Sequence, residues 1–166
     1  MNTVYFKGLA CHIRGNMPKA GTQAPSFSLV GKQLEDVKST DFIGKRMVLN
    51  IFPSLDTDVC AMSVRKFNNE ASQLINTVVI SISMDLPFAA SRFCETEGIK
   101  HVITASAFRS QSFAEKYGIQ LIDGPLAGLL SRSIIVIDEF NRIIYTELVE
   151  EITNEPNYND ALRILS

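Results

Sequence analysis

Apolar positions along the chain change period several times, and each change marks an element. Residues 3–7 and 9–15 alternate apolar and polar with Gly8 between them, which predicts an N-terminal β-hairpin. A short strand follows at 26–30. The run Met47-Val48-Leu49-Asn50-Ile51-Phe52 is almost continuously apolar, as strands covered on both faces tend to be, and places a buried strand at 46–52. From residue 60 the apolar positions fall at 60, 64, 67, 71, 74 and 75, the spacing of a helix that runs to about residue 75. Residues 77–83 (Thr-Val-Val-Ile-Ser-Ile-Ser) read as a second buried strand. Pro87 suits the first turn of a helix ending near Gly98. A short strand at 102–104, a short helix at 112–117 stopped by Gly118, two strands at 133–138 and 142–148, and a C-terminal helix at 158–165 complete the order. That succession predicts an α/β plan in which helices flank one sheet.

Composition narrows the field. With 166 residues, 46% hydrophobic and 20% charged, the chain is expected to form a single globular domain, 1–166, around one core. A net charge of −2 gives no reason to expect nucleic acid or an anionic membrane as partner. No apolar stretch approaches the ~20 residues that span a bilayer. The N-terminal residues lack the apolar core and small-residue cleavage site of a secretion signal, so a cytoplasmic location is expected. The histidines are His12 and His101, and the cysteines are Cys11, Cys60 and Cys94, with no C-x-x-C pair. That inventory gives no nucleus for a zinc site and no disulfide scaffold, and no cofactor is expected.

Cys60 carries the candidate chemistry. It follows Phe52-Pro53-Ser54-Leu55-Asp56-Thr57-Asp58-Val59, a loop between the buried strand and the helix. Thr57 is a good N-cap candidate, which makes Cys60 the third helical residue. Unpaired N–H groups in a first turn and the helix dipole favour an anion, which suits a cysteine that reacts as its thiolate. Two features oppose this reading. Cys60 lies in phase with the apolar stripe, where a free thiol is an ordinary core residue. Asp56 and Asp58 repel negative charge, and the cation nearest in sequence, Arg65, lies on another face.

The segment as a whole resembles a known family. Pro53-x-x-x-Thr57-x-x-Cys60 resembles the active-site motif of the peroxiredoxins. The longer string from Phe52 through Ser63-Val64-Arg65-Lys66-Phe67-Asn68 is similar to their bacterial thiol peroxidase branch. Two further blocks agree with that branch: Met84-Asp85-Leu86-Pro87-Phe88-Ala89 leading to Arg92-Phe93-Cys94, and Tyr117-Gly118-Ile119 followed by Asp123-Gly124-Pro125-Leu126-Ala127-Gly128-Leu129 and Arg132.

The resemblance implies a thioredoxin-like fold, with a central mixed sheet flanked by helices and the N-terminal hairpin as an extension. It implies a peroxidase that reduces hydrogen peroxide and organic hydroperoxides. In that reading Cys60 attacks the peroxide, the Thr57 hydroxyl sits between the sulfur and the substrate, Pro53 shields the sulfur from water, and Arg132 supplies the missing cation. Cys94 resolves the oxidised Cys60 within one chain, the atypical two-cysteine arrangement, and thioredoxin returns the pair to the dithiol. A homodimer is also implied. Helix-borne cysteines seldom approach within the ~4.4–6.8 Å between Cα atoms that a disulfide needs, so the turn bearing Cys60 is expected to unwind for resolution. Taken from the residues alone, Cys94 is equally a core thiol and Arg132 a strand-end surface arginine. Cys11 reads as a structural strand thiol. The 124–130 loop either walls an apolar channel or packs in the core. The Cys60-x-x-Ser63 pattern keeps a monothiol oxidoreductase open, and a redox sensor that only changes shape is the alternative of another class.

Overall fold

The computed structural model describes residues 2–166. Its strands are β1 (Asn2–Phe6), β2 (Leu9–Arg14), β3 (Ser28–Gly31), β4 (Asp36–Lys38), β5 (Arg46–Ile51), β6 (Thr77–Ser83), β7 (Ile103–Ser106), β8 (Gln120–Leu121), β9 (Ser133–Ile137) and β10 (Ile143–Leu148). The helices are α1 (Asp58–Ala71), α2 (Pro87–Glu97), α3 (Gln111–Tyr117) and α4 (Tyr158–Arg163), with a short 3-10 turn at Ser39–Phe42.

Seven strands form one mixed sheet in the order β10-β9-β5-β6-β7-β3-β4. β5, β6 and β7 are parallel neighbours joined through α1 and α2, whereas β9 runs antiparallel to β5. The expected central mixed sheet flanked by helices is therefore present. Alternation along its strands divides the core between two faces. Leu49, Ile51, Ile80, Ile82, Ile135 and Ile137 pack on the face covered by Phe113, Ala114 and Tyr117 of α3. Val48, Val79, Ile134 and Val136 pack on the face covered by Phe67 of α1 and by Tyr158 and Ala161 of α4. Burial on both sides is why these strands read as continuous apolar runs rather than alternating ones.

The N-terminal hairpin is also present, joined by β8 into a separate three-stranded sheet, β1-β2-β8. Its two-residue turn places Lys7 at φ 52° and Gly8 at φ 81°, the left-handed pair that a tight hairpin requires.

Three local expectations change. Strands β4 and β8 escape the sequence pattern because they have three and two residues. The first strand after the hairpin is Ser28–Gly31 rather than 26–30. Helix α1 ends at Ala71, not near 75, because the chain turns at Ser72 and Gln73 and reaches a left-handed Asn76 before β6. Among the described residues no helix is long and apolar enough to cross a membrane.

Candidate active site

Strand β5 ends at Ile51 and the chain leaves the sheet through Phe52 and Pro53, both buried, before turning into α1. The turn is built on Ser54. Its carbonyl accepts the Thr57 N–H at 3.3 Å and the Thr57 hydroxyl at 3.0 Å, and its hydroxyl accepts the Asp56 N–H at 3.1 Å. Thr57 occupies the N-cap position in extended conformation, but its hydroxyl bonds Ser54 and caps no helical N–H. The donors of the first turn are thus not consumed by the cap.

Cys60 is the third helical residue and is fully buried. It packs with Phe52, Leu55, Val64, Ala90, Cys94 and Ile99. Beneath it, the Ser63 hydroxyl donates to the Cys60 carbonyl at 2.7 Å and itself accepts from the Asn50 side-chain amide at 3.2 Å, so the helix turn is fixed to the C-terminal end of β5.

The cation comes from the start of the neighbouring strand β9. Because β9 pairs antiparallel with β5 in a register that places Ser133 beside Ile51, the residue before Ser133 lies at the mouth of β5. That residue is Arg132, only 2% exposed. Its Nη2 donates to Cys60 Sγ at 3.1 Å and its Nε donates to the Ile152 carbonyl at 2.8 Å, while Nη1 has no partner among the described residues. A guanidinium at this distance inside the protein outweighs Asp56 and Asp58, which are both exposed and screened by water. Arg65 instead pairs with Glu97 at 3.2 Å on the outer side of α1.

A cavity of about 300 Å³ lies beside this arrangement and reaches Arg132, with Cys60 buried behind its lining. Pro53, Thr57 and Arg132 line it together with an apolar wall that includes Phe6, Leu126 and Ile152. Both readings of the 124–130 loop hold, at different residues: Leu126 faces the cavity and Leu130 is buried in the main core. The loop is tied to β2 by Asp123, which accepts from the His12 N–H at 2.7 Å and contacts His12 Nδ1 at 2.6 Å.

Of the predicted site residues, Pro53, Thr57, Cys60 and Arg132 converge. Cys94 lies on α2 in the same buried cluster as Cys60, its sulfur 3.9 Å from the Thr104 hydroxyl, and both thiols are free. Cys11 stands apart in the hairpin core. Its sulfur fills the space beside Gly124, where a Cβ would come within 2.6 Å and where φ is 74°, so that position demands glycine on two counts. Burial pushes the Cys11 thiol up, with the charges of Asp123 and Glu151 adding to the effect, which makes it a poor nucleophile. Among the described residues no three His, Cys, Asp or Glu side chains stand close enough to hold a metal.

Two residues central to this geometry went unread in the sequence. Glu151 lies in the acidic stretch 147–155, which reads as a solvated face. Its carboxylate accepts the Lys7 and Gly8 N–H groups at 3.0 and 3.1 Å and so clasps the hairpin turn beside the cavity. Asp85 accepts from the turn that carries Thr57.

Comparison with known proteins identifies the family of the chain. The redoxin family model matches residues 19–162. The chain belongs to the redoxin family. It is 51% identical to the thiol peroxidase of Corynebacterium glutamicum over 166 residues, covering 100% of both chains. The crystal structure of a peroxiredoxin-like protein from Aquifex aeolicus superposes with a TM-score of 0.91 at 38% identity, over 98% of this chain and 95% of that one. A thiol peroxidase from Chromobacterium violaceum shares the fold, with a TM-score of 0.88 at 23% identity over 98% and 94% of the two chains. This redoxin is thus a full-length homologue of a thiol peroxidase with a thioredoxin-like fold.

Proposed function

We propose that this redoxin is a thiol-dependent peroxidase that reduces hydrogen peroxide and organic hydroperoxides through Cys60. The peroxidase class rests on the full-length identity to a thiol peroxidase. The assignment of the chemistry to Cys60 rests on one observation: its sulfur accepts a hydrogen bond from the buried Arg132 guanidinium, which itself lines a cavity.

In the first step the Cys60 thiolate attacks one peroxide oxygen. The S–O bond forms as the O–O bond breaks, and the second oxygen leaves as hydroxide or alkoxide and takes up a proton. Cys60 becomes a sulfenic acid. Negative charge spreads from sulfur towards both oxygens, so donors fixed along that line stabilise the transition state more than the ground state. Arg132 Nη2 already holds the sulfur, and Nη1, buried without a partner, is free to donate to a peroxide oxygen. The Thr57 hydroxyl gives its proton to Ser54, leaving its oxygen as an acceptor for the peroxide O–H. Pro53 offers no N–H and closes the inner wall against water. The apolar wall of the cavity suits the organic group of an alkyl hydroperoxide.

In the second step the Cys94 thiol attacks the sulfenic sulfur, forms an intrachain disulfide and releases water. A dithiol protein of the thioredoxin kind then exchanges with that disulfide and is itself oxidised. The full reading is of one domain, 1–166, acting as a homodimer in the cytoplasm with hydroperoxides and thioredoxin as its partners. The test is peroxide consumption coupled to a thioredoxin system, with hydrogen peroxide compared against bulky alkyl hydroperoxides. Sustained turnover supports the reading; one equivalent consumed with no recycling refutes the thioredoxin step.

A further inference from the structure

Asp85 lies at the junction between β6 and α2, and both of its carboxylate oxygens accept from the loop that leads to Cys60. One oxygen accepts the Ser54 hydroxyl at 2.8 Å; the other accepts the Leu55 N–H at 2.7 Å and the Ser83 hydroxyl at 2.7 Å. Ser54 is also the residue whose carbonyl holds the Thr57 hydroxyl and N–H. A chain of hydrogen bonds therefore runs from Asp85 through Ser54 to Thr57 and the first turn of α1. At the other end Asp85 is itself anchored: its N–H donates to Ser83 Oγ at 3.2 Å and its carbonyl accepts from the Ser106 hydroxyl. Those anchors sit on β6 and β7, strands of the buried sheet, so Asp85 ties the 53–57 loop to the sheet.

The far ends of the same helices are tied independently. Asn68 Oδ1 of α1 accepts the Lys100 and His101 N–H groups just beyond α2 at 3.0 and 2.8 Å, and Arg65 pairs with Glu97. Loosening the Asp85 contacts would thus free the loop and the first turn of α1 while leaving the rest of the α1–α2 packing in place.

We propose that Asp85 is a positioning residue that latches the 53–57 loop in its peroxide-reactive form and thereby sets how fast Cys60 is oxidised relative to how fast it reaches Cys94. The proposal rests on the reading of Cys60 and Cys94 given above. Latched, Thr57 and Pro53 line the cavity and the first turn of α1 is wound, which favours attack on peroxide. Released, the turn unwinds more readily, which favours the disulfide and shortens the life of the sulfenic acid. The carboxylate takes no proton in either step and touches neither sulfur.

The two steps are separable by rapid mixing with one equivalent of peroxide, followed by mass analysis after excess peroxide. Asp85→Ala should slow Cys60 oxidation by about tenfold, the factor carried by roughly one net hydrogen bond to a charged group, and speed disulfide formation by a similar factor. Over-oxidation by excess peroxide should fall accordingly. Asp85→Asn retains an acceptor oxygen for Leu55 and should recover most of the wild-type balance. Ser54→Ala, which removes a single link, should shift both steps in the same directions by less. Opposite shifts of the two steps with recovery in Asp85→Asn uphold the latch. Equal slowing of both steps, or unchanged rates in Asp85→Ala, overturns it. A Cys60→Ser control separates the two levels: if that variant is still oxidised rapidly, the reading of the site fails and the latch with it; if it is inert, the outcome in Asp85→Ala judges the latch alone.

Discussion

Arg132 Nη2 lies 3.1 Å from Cys60 Sγ although the two residues are 72 positions apart, and neither side chain is exposed beyond 2%. Burying a guanidinium is costly unless it is paired, and here one edge holds a carbonyl and a sulfur while Nη1 has no partner among the described residues. Arg132→Met keeps the bulk and removes the charge. Stopped-flow measurement of Cys60 oxidation should show attack slowed by about 10²-fold or more, the scale for loss of one transition-state donor. Arg132→Lys should recover only part, since an ammonium cannot hold the Ile152 carbonyl and the sulfur with one planar fork. A wild-type rate in Arg132→Met would remove the guanidinium from the mechanism.

Thr57 makes a second, independent case. Its hydroxyl serves the loop through Ser54 and not the helix N-terminus. Thr57→Val preserves shape and removes the acceptor, so peroxide attack should fall by about 10²-fold while the far-ultraviolet circular dichroism stays unchanged. Unaltered oxidation kinetics in this variant would show that the hydroxyl has no part in the step.

Cys94 shares a buried cluster with Cys60 but sits on a different helix. One equivalent of peroxide should give an intrachain Cys60–Cys94 disulfide, visible by peptide mapping and without a covalent dimer on non-reducing electrophoresis. Cys94→Ser should still consume that equivalent, then stall as the sulfenic acid and over-oxidise with more. Undiminished thioredoxin-dependent turnover in Cys94→Ser would place resolution elsewhere.

The sequence carried the fold where period and burial coincide. β5, β6 and α1 were legible because a doubly covered strand and a one-sided helix leave unmistakable apolar patterns, and Pro87 and Gly98 bracket α2 at its two ends. β4 and β8 were not, since strands of three and two residues have no period to read. Within the site, the residues themselves showed Cys60 as a thiol at a helix start and Thr57 as its N-cap candidate, while the roles of Pro53 and Thr57 toward peroxide came from the family resemblance. Arg132 meets Cys60 only through the register of β9 against β5, which no local pattern encodes; the family resemblance alone pointed to it. Glu151 and Asp85 escaped for a related reason. Their partners are largely backbone N–H groups and serines, which leave no complementary charge in the sequence.

Glu151 gives the fold a specific acid dependence. Burial pushes its carboxyl up, but hydrogen bonds from the Lys7, Gly8 and Thr153 N–H groups and the Thr153 hydroxyl outweigh that and bring it from 4.5 down to about 2. A carboxyl lowered in the folded state contributes its full stability above its ordinary value and loses it as the pH falls through the folded one. The melting temperature of Glu151→Gln should therefore lie below that of the wild type at neutral pH, with the gap closing between about pH 5 and about pH 2. A gap that persists unchanged to the acid end would mean that the clasp on the hairpin turn does not depend on the charge.

The most direct measurement is peroxide consumption by Cys60→Ser beside Cys11→Ser and the wild type under identical thiol-reducing conditions. Cys60→Ser should consume no peroxide above background. Cys11→Ser, altered only in the hairpin core, should match the wild type. Substantial consumption by Cys60→Ser, or its loss in Cys11→Ser with the fold intact, would contradict the assignment of Cys60 as the peroxide-reactive thiol.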